Sequence, residues 1–188
     1  MGVCRHIQAD GDTEHIPHVS SFRNGQDGGY VTLAAPAGMQ VTAVTVSPAP
    51  ATLPAGVRLP QGVIGFSLQG VPIGGSVSVR VIVHAGDEPI GYWKFGPTAD
   101  NPTTHWYSFA FDGTTGGILV DSRTVQLQLV DGGRGDSDLT ANGVIVDPGG
   151  PGGRVRFDLW LPRIDSSQDE PVKFSTGALS LWLPVVGR

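Results

Sequence analysis

From Ser76 to His84 apolar and polar residues alternate without a break. Val77, Val79, Val81 and Val83 fall on one side, with Ser78, Arg80, Ile82 and His84 on the other. A repeat of two puts successive side chains on opposite faces of an extended chain, whereas a helix needs a repeat of 3.6. This segment is therefore read as a strand with one face in a core. Thr124–Val130 repeats the pattern with Val125, Leu127 and Leu129, and His105–Phe111 repeats it with Tyr107, Phe109 and Phe111. Further strands are expected at Tyr30–Leu33, Val41–Ser47, Val63–Leu68 and Gly143–Val146. The 28 glycines and 15 prolines lie between these runs, as turns between short strands require. A half-apolar sheet must bury its inner face on another sheet, so the expected class is all-β. The architecture is an antiparallel two-sheet β-sandwich with little or no helix; jelly-roll and immunoglobulin-like Greek-key topologies both fit. A chain of 188 residues is long enough for one such core.

Charge and special residues exclude several function classes. The net charge of -5 is spread along the chain and leaves no basic patch, so nucleic acid is not an expected partner. No apolar run reaches the ~18 residues that a membrane-spanning helix needs. Cys4 is the single cysteine, so no internal disulfide is available and the fold must rest on packing, with or without a metal. No apolar segment precedes Cys4 to mark a lipid attachment, and no signal-peptide pattern is present. A secreted chain of this kind would have a trimmed signal, a longer parent or another export route. Gly-x-Ser-x-Gly elbows, paired-histidine zinc helices and phosphate loops are missing from the sequence, and the expectation is a non-enzymatic protein.

The strongest site candidate runs from Asp131 to Pro148. Asp136, Asp138, Thr140, Asn142 and Asp147 are spaced as oxygen ligands around small residues, with Gly143 allowing a reversal. Calcium takes six to eight oxygens at about 2.3–2.6 Å in irregular geometry, so Ca2+ is the expected ion. The bidentate glutamate of a helix-loop-helix calcium motif is missing, and the alternative is a metal-free turn whose side chains bond the backbone. Arg134-Gly135-Asp136 spells an integrin-binding tripeptide, but three common residues recur by chance and Asp136 serves the loop better. Lys94, one of two lysines, stands between Trp93 and Phe95. It is expected to lay its stem on aromatics with a hydrated ammonium. An isopeptide bond to Asn or Asp, which such lysines sometimes form in surface sandwiches, is the minor alternative. Trp93, Trp106 and Tyr107 are read as packing residues rather than as a sugar platform.

Four stretches carry a family resemblance. They are Asp27-Gly-Gly-Tyr-Val-Thr-Leu-Ala-Ala-Pro-Ala-Gly38 with Leu53-Pro-Ala-Gly-Val-Arg-Leu-Pro-Gln-Gly-Val-Ile-Gly-Phe66, the aromatic segment Tyr92–Tyr107 around a proline-bounded loop, and the acidic segment Asp131–Pro148. Together they resemble the choice-of-anchor U domain of bacterial secreted and surface proteins, over roughly residues 10–151. The resemblance implies an extracellular or cell-surface location. Related chains carry an acidic calcium run where this one has Asp10, Asp12, Glu14, His15 and His18; here Thr13-Glu14-His15 interrupts it and His18 replaces the last acid.

Residues 1–18 are read as a polar arm, 19–151 as the sandwich, and 152–188 as a C-terminal strand pair after the breaker Gly149–Gly153. That pair either completes the same domain or pairs with a neighbour. Its strands, Arg154–Leu161 and Leu179–Val185, place Trp160 and Trp182 on the outward face as candidate interface or ligand residues. The expected function is an extracellular or cell-surface structural or binding module with a calcium-stabilised acidic loop. The alternatives are a subunit of a polymeric surface assembly (a homo-oligomer or filament) and a carbohydrate-binding module, so the expected partners are its own copies or a surface glycan or protein.

Overall fold

The computed structural model describes residues 16–154. Expectations that fall on residues 1–15 and 155–188 lie outside the described residues, among them Cys4, most of the acidic N-terminal cluster, Trp160 and Trp182.

The strands are β1 (Val19–Arg23), β2 (Tyr30–Ala34), β3 (Gln40–Ser47), β4 (Val57–Arg58), β5 (Val63–Gln69), β6 (Ser76–Val83), β7 (Tyr92–Thr98), β8 (Asn101–Ser108), β9 (Gly116–Leu119), β10 (Thr124–Val130), β11 (Val144–Pro151) and β12 (Gly153–Arg154). They form two five-stranded sheets, ordered β1-β2-β6-β10-β9 and β3-β5-β11-β7-β8, plus the small pair β12-β4. The architecture is the expected all-β sandwich, with both large sheets antiparallel.

The period-two segments supply the core. Val77, Val79 and Val81 of β6 and Val125, Leu127 and Leu129 of β10 are buried with Val31 and Leu33 of β2. Across from them lie Ile64, Phe66 and Leu68 of β5, Tyr92 of β7 and Ile145 of β11, in the same cluster. β6 and β10 pair in the register that sets Val81 opposite Val125 and Val79 opposite Leu127, so matched apolar faces bury together. A second, smaller cluster joins Val57, Leu59 and Trp93.

Three expectations need correction. Tyr92–Tyr107 is not a proline-bounded loop but the hairpin β7–β8. Its two prolines sit where a strand tolerates a missing N–H: Pro97 at a register shift between Gly96 and Thr98, and Pro102 in an edge strand. Phe111 does not share the inward face of Phe109. β8 ends at Ser108, Phe109 is fully buried, and Phe111 is 46% exposed.

The first three residues of Gly149–Gly153 are strand and not a breaker. β11 runs on through Pro151, with Gly149, Gly150 and Pro151 paired to Lys94, Trp93 and Tyr92. Pro148 is accommodated because pairing with β7 starts only at the next residue, Gly149. Glycine is required at 149 by close approach: a Cβ there would sit 2.6 Å from the Trp93 carbonyl oxygen and 2.6 Å from the Tyr92 ring. Gly149→Ala should therefore destabilise the chain by about 1–3 kcal/mol, as overpacked sites do. Urea unfolding checks this, and a variant as stable as the parent would contradict the packing argument.

Candidate functional site

The loop 131–143 joins β10 to β11 and is built on side-chain-to-backbone hydrogen bonds. Asp131 Oδ2 accepts from the N–H groups of Gly74 and Gly143, both at 2.9 Å, which ties the loop to the β5–β6 turn. Asp136 is fully buried; its Oδ2 accepts from Gly132 N–H at 2.8 Å and its Oδ1 from Val146 N–H at 3.0 Å. Burial nevertheless pushes its pKa up, and the neighbouring Asp138 and Asp131 add to the rise, against the pull of those two N–H groups. Asp138 Oδ1 accepts from Thr140 N–H and its Oδ2 from the Asn142 side-chain amide, both at 2.9 Å. Asn142 Oδ1 in turn accepts from Val144 N–H at 2.8 Å, and Thr140 Oγ1 donates to the Asp138 carbonyl.

The five residues expected to hold calcium are thus divided between two places. Asp138, Thr140 and Asn142 form a hydrogen-bonded surface turn. Asp136 and Asp147 are buried, and Asp147 faces a lysine. Among the described residues no group of three or more His, Cys, Asp or Glu side chains is arranged to hold a metal ion. This donor set fits the bonded turn better than a cation.

Arg134 and Asp136 are also not available as a presented tripeptide. The Arg134 guanidinium stacks 4.8 Å from the Phe109 ring centroid and donates to the Ser108 carbonyl at 2.9 Å. It also bonds Asp112 Oδ2 at 3.1 Å, while Asp136 is enclosed.

Lys94 is the centre of the arrangement. Alternation along β7 turns Tyr92 and Lys94 to the core and leaves Phe95, 39% exposed, on the other side. The same alternation on β11 turns Ile145 and Asp147 inward. Gly149 is the register partner of Lys94, so Asp147 lies two residues along the neighbouring strand on the same face. Lys94 Nζ lies 3.0 Å from Asp147 Oδ1, with both side chains 2% exposed or less. It also donates to the Gly135 carbonyl and lies 4.9 Å from the Phe109 ring centroid. Gly135 holds φ +98, and a Cβ there would collide with the Phe109 ring at 2.5 Å, so only glycine brings this carbonyl onto the lysine.

The hydrated ammonium expected for Lys94 is therefore corrected. Its head is sealed between the sheets, because a carboxylate waits there. Desolvation lowers the Lys94 pKa against the opposing pull of Asp147, and desolvation raises that of Asp147 against the pull of Lys94. Burial thus drives both groups toward their neutral forms. Asp147 Oδ2 and the buried Tyr92 hydroxyl have no hydrogen-bond partner among the described residues. Sequence reasoning separated these partners by placing Asp147 in the acidic loop. The available signal was parity: Asp147 falls in step with Ile145 on an inward face.

The aromatics pack rather than form an open platform. Trp93 is buried against Val57 and Leu59, and Phe95 lies 5.0 Å from Trp106 between centroids.

Two measurements test this site. Millimolar calcium and a chelator should give one melting temperature, since the side-chain oxygens of Asp136, Asp138, Thr140 and Asn142 are already hydrogen-bonded within the protein. A rise of several degrees in calcium that Asp138→Ala abolishes would show that those donors yield to a cation. The second concerns pH. A folded pKa raised above the unfolded value means the folded chain binds more protons, so this contribution is present in acid and is lost as pH rises. The stability of the parent relative to Asp136→Asn should fall as pH rises from about 4 to about 7 in urea titrations. A constant difference would contradict the assignment. Comparison of the chain with protein-family models, with curated proteins and with solved structures gives no match in any of the three.

Proposed function

We propose that this chain is a non-enzymatic structural or binding module of the bacterial cell surface or extracellular space. The observation that supports the reading is the use to which its buried ionisable groups are put. Lys94 and Asp147 pair between the sheets, Asp136 is buried at the base of its own loop, and what all three bond is the protein itself. Asp131 likewise anchors one loop to another. A catalytic acid or base needs hydrogen-bond reach to a substrate from a cleft. Here the perturbed groups brace the fold, as suits a scaffold with one cysteine and no internal disulfide. The resemblance to choice-of-anchor U segments supports the location. The polymeric alternative rests on Trp160 and Trp182, which lie outside the described residues.

Antibodies raised against the folded chain should label intact cells of the source organism, and brief external protease treatment should strip the label. Under native conditions the bonds after Arg80 and Arg134, one within a paired central strand and one held on Phe109, should resist trypsin for hours. Labelling only after permeabilisation would overturn the location. Turnover lost in an Asp136→Asn variant that stays folded would overturn the non-enzymatic reading.

A further inference from the structure

We propose that Lys94 and Asp147 condense in the folded chain into an intramolecular isopeptide bond joining β7 to β11. Four observations carry this. Nζ and Oδ1 are 3.0 Å apart, a contact that holds the amine against the carboxyl group whose Cγ it would attack. Both groups are enclosed, so the water that would solvate a separated ion pair is excluded. The nitrogen is fixed from a second side by the Gly135 carbonyl and from a third by the Phe109 ring. Asp147 Oδ2 has no donor among the described residues, which leaves a buried carboxylate paid for on one oxygen only.

The chemistry closes without any further reagent. The ammonium passes one proton to the carboxylate at 3.0 Å, giving a neutral amine and a neutral carboxylic acid, the forms that burial favours. The amine lone pair attacks Cγ of Asp147 and a C–N bond forms. A second proton moves from nitrogen to the hydroxyl oxygen, the C–O bond breaks, and one water leaves. The products are a secondary amide between Nζ and Cγ and one water; no oxidant or reductant takes part. Fixed geometry supplies the driving proximity, for which effective molarities reach about 10⁵–10⁸ M in well-oriented intramolecular reactions. The amide also replaces two buried charges by one neutral group. This inference is independent of where the chain works, so its failure would leave the proposed location standing, and the reverse.

The test is the mass of the full chain, purified folded and then denatured before measurement. The parent should weigh one water less than its sequence, and digestion should yield a branched peptide linking Lys94 to Asp147. Lys94→Met and Asp147→Ala should each restore the full sequence mass. Asp147→Asn should instead lose one ammonia, because the amide nitrogen is then the leaving group. That distinguishes the cross-link from cyclisation at an Asp-Gly step such as Asp131-Gly132, which would keep the water loss in all three variants. A folded parent of full sequence mass, with Lys94 and Asp147 in separate peptides, overturns the proposal. This arm needs no variant to fold. A water deficit mapped to any other residue pair overturns it equally.

Discussion

A lysine and an aspartate enclosed together between two sheets set the terms for everything around them. Removing either charge from water alone carries a penalty of several kcal/mol, and a lone partner would be a stronger destabiliser than the pair. Lys94 and Asp147 therefore constrain one another's strands. β7 must present Lys94 inward, β11 must present Asp147 inward, and the register Gly149–Lys94 must bring them to 3.0 Å. Gly149 follows from the same register, since two strands this close leave no room for its Cβ.

The loops obey a related constraint. A chain with one cysteine cannot pin its connections with internal disulfides, and here carboxylates and amides do that work. Asp131 reaches two loops at once, Asp136 holds the start of its own loop against β11, and Asn24 Oδ1 accepts from three successive N–H groups, those of Gln26, Asp27 and Gly28. Acid-rich turns of this kind look like cation sites in one dimension because both uses need oxygens at short intervals around glycine. The difference lies in what the oxygens face. In this chain those of Asp131, Asp136 and Asn142 face backbone N–H groups, and those of Asp138 face the Thr140 N–H and the Asn142 amide.

The aromatic segment shows how one strand serves two compartments. Tyr92 belongs to the main core and Trp93, next to it, to the small cluster under β4. Lys94 then takes an inward place that an apolar residue would ordinarily hold. Phe109 borders both sides of the arrangement, touching the ammonium of Lys94 and stacking with the guanidinium of Arg134. Cation–π contact of this kind stabilises a charge that has lost water.

The fold class and most of the core were legible in the sequence. Alternation in Ser76–His84 and Thr124–Val130 leaves a strand only one way to bury its valines and leucines, and those side chains are buried as expected. What alternation could not convey was where strands begin or end beside proline and glycine. Pro97 and the run Gly149–Pro151 read as breaks, and only the neighbouring strand shows that they are a register shift and a close approach. The candidate site was half visible. Asp136, Asp138, Asn142 and Asp147 stood out by type and spacing, and Lys94 by rarity. Their division into a surface turn and a buried pair was decided by the tertiary structure, because residues 94 and 147 become neighbours only when β11 settles between β5 and β7. Local spacing records which groups a segment offers; the sheet order alone determines which of them share a space without water.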